Sequence, residues 1–235
     1  MIELILVAII ALSPMELLTK VDSVSTFPQS SGIMEQTITT TTGHKRTFKL
    51  KYFSADNGDK QLMNFIYPEA VKGVKFLLVG NNVWVYFPET GRIRRLSSRA
   101  KKQKMMGSDF TYEDMELSNL KDKFTPSDLK EDKNYYYLKL TPKKDSHISY
   151  SKLTLIIDKK TFIPIKIDFY HNNEKSPLKT LIQENIKVID GISTPMKTIM
   201  IDNKTESKSS FITDSISYKI KIDPSVFRPD NLKED

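Results

Sequence analysis

The chain has 235 residues, of which 39% are apolar, and a formal net charge of +7. It contains no Cys, which excludes a disulfide framework, a thiolate metal site, an iron–sulfur cluster, a Cys nucleophile and a lipidated N-terminal Cys. The positive excess is local: residues 91–104 carry Arg92, Arg94, Arg95, Arg99, Lys101, Lys102 and Lys104 without an acid, and the remaining 29 basic residues balance 29 acids. A nucleic-acid binder spreads its cations over a face and interleaves aromatics that stack on bases. This run does neither, so no nucleic-acid partner is expected.

Residues 1–12 are apolar except for Glu3. As a helix they would rise about 18 Å, short of the roughly 30 Å hydrocarbon core of a bilayer. The length of 1–13 fits a secretory signal peptide or apolar leader, although no Lys or Arg precedes the apolar run; a buried N-terminal helix is the other reading. Ser13 and Pro14 then predict a short helix, as its N-cap and first helical residue, with Met15, Leu18 and Val21 as the apolar stripe.

From about residue 31 the apolar period becomes two. Phe48, Leu50 and Tyr52 alternate with Lys49 and Lys51, so one face is apolar and one wet. Asn57-Gly58 is a hairpin turn signal. Strands are predicted over about 60–67, 73–79, 83–87 and 92–96, joined by the turns Gly80-Asn81-Asn82 and Pro88-Glu89-Thr90-Gly91. Residues 98–132 interrupt the pattern with polar, helix-compatible stretches over 112–120 and 127–133, the latter with Ser127 as its cap. Strands resume at 136–140 and 153–157. Ile163, Ile165, Ile167 and Phe169 then alternate with polar residues, Pro164 suggesting an edge or a strand start. Long strands follow over about 177–189, 194–202 and 206–218, with Asp190-Gly191 and Asn203-Lys204 as turns. The expectation is a mainly β protein: about 10 or 11 antiparallel strands, a short N-terminal helix, and helices inserted mid-chain as a lid over about 98–132. A sheet of that size curls into a barrel or half-barrel. No linker divides 14–235, which is read as one domain.

Chemistry is sparse. His44, His147 and His171 fall at turns and share no ligand spacing, and no HExxH, GxSxG, phosphate-binding loop or GxGxxG occurs. Asp109, Glu113 and Asp114 form an acid cluster with no nucleophile or metal partner nearby; pairing with Arg is the expected use. Asp56, Asn57 and Asp59 lack the ligand order of a calcium loop. No enzyme activity, cofactor or metal is expected. The remaining candidate site is the apolar face of the curled sheet, with Met105, Met106, Phe110, Tyr112 and Met115 above it as adaptable side chains suited to an irregular apolar ligand.

The string MGSDFTYED, Met106 to Asp114, resembles the signature of the outer-membrane lipoprotein-sorting, LolA-like family. Val83-Trp84-Val85-Tyr86-Phe87-Pro88 followed by Arg92-Ile93-Arg94-Arg95-Leu96 resembles the family's Trp-x-Tyr-x-Pro … Arg-Arg-Ile stretch. Tyr150 to Leu153, Pro164 to Ile167 and Asp190 to Pro195 resemble its later strands, so the resemblance spans about 14–232. The departures are the Glu3-bearing leader and the Lys-rich 101–104. The resemblance implies an unclosed antiparallel half-barrel with a helical lid, a periplasmic location, and lipid or lipoprotein acyl chains held in the concavity for transfer toward the outer membrane. It implies a membrane-embedded donor transporter and an outer-membrane acceptor as partners, and we expect a monomer. The lining is expected from Phe48, Leu50, Tyr52, Trp84, Tyr86, Leu138, Leu140, Ile165, Ile167 and Phe169, and lid contacts from Met105, Met106, Phe110 and Tyr112. Arg94 or Arg95 is expected to latch Asp109, and Arg99, Lys101, Lys102 and Lys104 to form a mobile docking surface. A filled barrel serving as a scaffold subunit is the competing reading.

Overall fold

The computed structural model describes residues 12–146, 148–172 and 174–234; the leader expected over 1–13 lies outside them but for its last two residues. Ser13 caps helix α1 (Pro14–Ser25) through a reciprocal capping box with Glu16, and Pro14 occupies the first turn. The buried stripe of α1 is Leu17, Leu18 and Val21; Met15, expected on it, is exposed. Leu17 and Val21, four residues apart, define the face, and Met15 lies off its edge.

Thirteen strands follow among the described residues: β1 (Gln29–Thr39), β2 (Lys45–Ala55), β3 (Lys60–Tyr67), β4 (Lys75–Val79), β5 (Asn82–Phe87), β6 (Arg92–Arg95), β7 (Phe124–Glu131), β8 (Tyr135–Pro142), β9 (Lys152–Asp158), β10 (Pro164–Tyr170), β11 (Lys179–Ile189), β12 (Ile192–Asp202) and β13 (Lys208–Ser217). They form one antiparallel sheet in the order β6-β5-β4-β3-β2-β1-β13-β12-β11-β10-β9-β8-β7. Two meanders are thus joined where β1 pairs with β13. Tight turns enforce the hairpins; at Asp190-Gly191 both residues take positive φ, 52° and 86°, as a two-residue turn with the twist of its strands requires.

This order leaves β6 and β7 as the two edges, although they are neighbours in sequence. The sheet curls without closing, and residues 96–123 join one edge to the other. That segment holds the short helices α2 (Ser98–Lys101) and α3 (Leu120–Lys123), with 3-10 turns between them.

The strand count exceeds the expected 10 or 11, and one extra strand replaces a predicted helix. Residues 127–133 were expected to be helical with Ser127 as cap; instead Ser127 pairs with Lys139 in β7. Pro126, Asp128 at φ 51° and a bulge between Ser127 and Lys130 are features of an edge strand, which tolerates them because one side carries no ladder. The inserted segment therefore ends at Lys123.

Among the described residues two apolar cores form. The concave face, α1 and the insert share one, including Leu17, Phe48, Leu50, Phe65, Phe76, Phe110, Leu138, Leu140 and Phe169. The smaller one lies on the outer face of β2–β5, where Leu62, Leu77 and Trp84 are covered by Ile222, Phe227 and Leu232 of the C-terminal segment.

Candidate functional site

The MGSDFTYED string forms the centre of the insert. Met106 and Gly107 both take positive φ, 53° and 74°, and this sharp turn lets Met105 and Ser108 be buried on either side of it. The acids that follow are anchors. Asp109 is buried: its carboxylate accepts from Ser207 Oγ at 2.6 Å, Ser209 Oγ at 2.6 Å and Lys104 Nζ at 3.0 Å, and its backbone N–H donates to Ser209 Oγ at 2.8 Å. Lys104 Nζ also reaches Asp202 at 3.0 Å, tying the insert to β12 and β13. Burial works against the Lys104 ammonium, but its hydrogen bonds to Asp109 and Asp202 raise its pKa.

Glu113 accepts from the backbone N–H and hydroxyl of Ser149, at 2.7 and 2.5 Å. Asp114 accepts from Thr111 N–H at 2.7 Å, from Lys179 Nζ at 2.5 Å and from Tyr150 OH at 2.8 Å. The Asp114–Lys179 pair is almost sealed from water, with side chains 8% and 6% exposed. Burial and the Asp114 charge push the Tyr150 phenol far up, so it stays a donor. Glu116 pairs with Lys101 at 2.5 Å, and burial raises the Glu116 pKa. At the other end of the insert, Asp22 of α1 accepts from Leu120 N–H and Lys121 N–H at 2.8 and 2.9 Å, satisfying the start of α3. Burial raises the Asp22 pKa.

Between the concave face and this anchored insert lies a cavity of about 410 Å³. Its walls include Met34, Tyr52 and Met63 of β1–β3, Met105, Phe110 and Met115 of the insert, and Leu153, Ile167, Phe169, Leu181 and Phe211 of β9, β10, β11 and β13. Phe110 packs on Phe211 with ring centroids 4.9 Å apart.

Of the expected lining, Tyr52, Ile167 and Phe169 face the cavity. Phe48, Leu50, Leu138 and Leu140 face the same side but are consumed in the core beyond it. Trp84 and Tyr86 point the other way, under the C-terminal segment, while Val83 and Val85 take the concave positions. Ile165 is displaced by a bulge between Pro164 and Lys166, and Pro164 lines the wall in its place. Of the expected lid contacts, Met105 and Phe110 line the cavity, while Met106 and Tyr112 pack on the core beside it, Tyr112 edge-on to Phe76 at 5.3 Å.

The expected latch has a different partner. Neither Arg94 nor Arg95 reaches Asp109: Arg95 binds Asn82 and lies over the Trp84 ring, while Arg94 is exposed. Both belong to edge strand β6, whereas Asp109 sits beneath β13, and Lys104 is the cation at hand. Lys101 and Lys104, expected in a mobile docking surface, are committed to Glu116 and to Asp109 and Asp202; Arg99 and Lys102 remain exposed. Ser207, Ser209, Lys179 and Tyr150 were missed as anchors because only the fold brings them to the insert. The C-terminal cover had a sequence signal: Phe76 to Val79 and Val83 to Phe87 are apolar on both faces, as strands covered twice are.

Among the described residues no group of three His, Cys, Asp or Glu side chains could hold a metal ion, and no helix is long and apolar enough to cross a membrane.

Comparison with known proteins adds a family. A protein-family model described as "Uncharacterized protein" matches residues 57–234. No curated protein matches the chain. Among solved structures, a domain assigned to outer membrane lipoprotein sorting from Vibrio parahaemolyticus is 25% identical, with a TM-score of 0.84 over 94% of this chain and 98% of that one. A DUF1329 family protein from Desulfovibrio piger is 24% identical, with a TM-score of 0.84 over 93% and 97%. A LolA superfamily protein from Nitrosomonas europaea is 22% identical, with a TM-score of 0.77 over 94% and 99%. The chain belongs to the family whose model it matches over residues 57–234, and its unclosed half-barrel has the LolA-like fold of the outer-membrane lipoprotein-sorting domain and the LolA superfamily protein it resembles.

Proposed function

We propose that the protein is a periplasmic carrier that holds acyl chains of a lipid or lipoprotein in the concave cavity and moves them toward the outer membrane. The observation that carries this reading is the roughly 410 Å³ opening, with its Met-rich and aromatic wall, between the sheet and the anchored insert. Its volume falls within the roughly 300–1,000 Å³ of small-molecule sites. Burying a methylene is worth about 0.8 kcal/mol, so a 16-carbon chain gains roughly 12 kcal/mol on leaving water. A bilayer offers the same gain, so direction would come from a donor transporter and an outer-membrane acceptor. A filled scaffold barrel would leave no such opening, and that favours the carrier. The test is uptake of a neutral fluorescent acyl probe by the delipidated protein, saturable and competed by acyl lipid. A folded sample that takes up no probe would rule the carrier out.

A further inference from the structure

We propose that the cavity selects acyl chains borne on an uncharged ester or amide and discriminates against fatty-acid carboxylates and other anionic lipids; this rests on the carrier reading above. Three observations carry it. First, no Lys, Arg or His lines the cavity among the described residues; its two charged wall residues are Asp22 and Asp114, and both are spent. Asp22 is taken by Leu120 N–H and Lys121 N–H, and Asp114 by Thr111 N–H, Lys179 and Tyr150. An anionic group entering this space would lose its hydration and gain no cation.

Second, the polar part of the wall is built of neutral hydroxyls and amides. Ser30 stands opposite Ser54 across β1 and β2, Thr194 Oγ1 lies 3.0 Å from Tyr218 OH, and Gln183 faces Thr198 across β11 and β12. Such groups donate to and accept from an ester or amide without demanding charge. Third, α1 ends at Ser25 with no basic residue in its last turn, and residues 24–27 line the cavity. A helix C-terminus carries a partial negative charge, equivalent to about half an electron, which repels an anion placed there.

The wall also sets an orientation. Along β1 and β13 the hydroxyls of Ser30 and Tyr218 lie at one end and Phe211, packed on Phe110, toward the other. The hydrocarbon tail points to Phe110 and Phe211, and the uncharged linkage stays by Ser30 and Tyr218.

The experiment is displacement of the neutral probe N-phenyl-1-naphthylamine from the delipidated full chain at about pH 8, where a carboxylate is ionised. Competitors below their micellar concentrations are monododecanoylglycerol, an N-dodecanoyl peptide with blocked termini, and dodecanoate. Each uncharged competitor is expected to displace the probe at about tenfold lower concentration than dodecanoate. Equal potency would leave the carrier intact and overturn the selectivity; binding of neither probe nor competitor would overturn the carrier itself. Thr198→Lys, which adds a cation to the wall, is expected to strengthen dodecanoate about fivefold and not the glyceride. Ser193→Lys serves if Thr198→Lys lowers the unfolding midpoint. An unchanged ratio in a folded variant would overturn wall charge as the cause.

Discussion

Asp109 and Ser209 hold each other by two hydrogen bonds: the Asp109 backbone N–H donates to Ser209 Oγ at 2.8 Å, and that hydroxyl donates to Asp109 Oδ2 at 2.6 Å. One hundred residues separate them, and both are buried. The pair fixes the insert on β13, beside the seam where the two meanders join. Ser209→Ala leaves a buried N–H without its partner, at a cost of about 1–3 kcal/mol. Urea unfolding measures the cost. Exchange of amides 105–116 is expected to quicken before that of the central strands. Uniform loss across the sheet would show that Ser209 acts on the whole barrel and not on the insert.

The Asp114–Lys179 pair behaves differently because it is sealed. Removing one charge strands the other, so Lys179→Met is expected to cost about 3–5 kcal/mol. Replacing both, Asp114→Leu with Lys179→Met, is expected to cost less than the sum of the two single changes, since no unpaired charge remains. A double-mutant cycle in urea reads this coupling. Additive costs would mean that the two side chains do not depend on each other.

Gln36 is buried on the concave face between Phe48 and Phe211, and neither its amide nitrogen nor its oxygen has a hydrogen-bond partner among the described residues. Gln36→Met keeps the length of the side chain and removes the unmet polarity, so it is expected to stabilise the fold by about 1–3 kcal/mol. A loss of stability on calorimetric unfolding would show that this amide has a partner in solution.

Acid is expected to loosen the insert. Burial opposes ionisation of Asp202, but the hydrogen bond and charge of Lys104 and the backbone N–H groups of Thr205 and Lys204 together outweigh it and hold its carboxyl below the ordinary value. A lowered folded value makes the contribution full above about pH 3.9 and lost as pH falls through the folded value. Lys104 is raised, so its share is full below about pH 10.4 and lost only as pH rises through its higher folded value. The contact is therefore constant near neutrality. Protection of the Asp109 and Phe110 amides, corrected for intrinsic rate, is expected to drop below about pH 4, and Asp202→Asn to flatten that drop. A drop between pH 5 and 7 would assign it to another group.

What the sequence showed, and what it hid, follows from range. Phe48, Leu50 and Tyr52 do share the concave face, because period two is a property of the strand itself. Ser13 with Pro14, and Asp190 with Gly191, act within a few residues and were legible for the same reason. Trp84 and Tyr86 were assigned to the wrong face because β5 is apolar on both, and only the returning C-terminal segment decides which side is outer. Strand β7 was hidden because Ser127 reads as a helix cap, and Pro126 and Asp128 fit a strand only where that strand is an edge. Apart from Lys104 and the Thr111 N–H, the partners of Asp109 and Asp114 come from β11, β13 with the turn before it, and the loop before β9, and no spacing within the insert encodes those. The basic run likewise looked free because Glu116 and Asp202 reach it only through the fold.

The central claim, that the concave cavity holds an acyl chain, is tested most directly by native mass spectrometry of the protein isolated from a bacterial periplasm, wild type beside Ile167→Glu. Ile167 lines the cavity, and a carboxylate there would be buried without a partner. Lys166→Glu, across the strand, controls for the added charge. The expected result is wild type and Lys166→Glu carrying releasable acyl lipid, and Ile167→Glu folded but empty. Equal loading of the three proteins, or a folded wild type with no lipid, would contradict it.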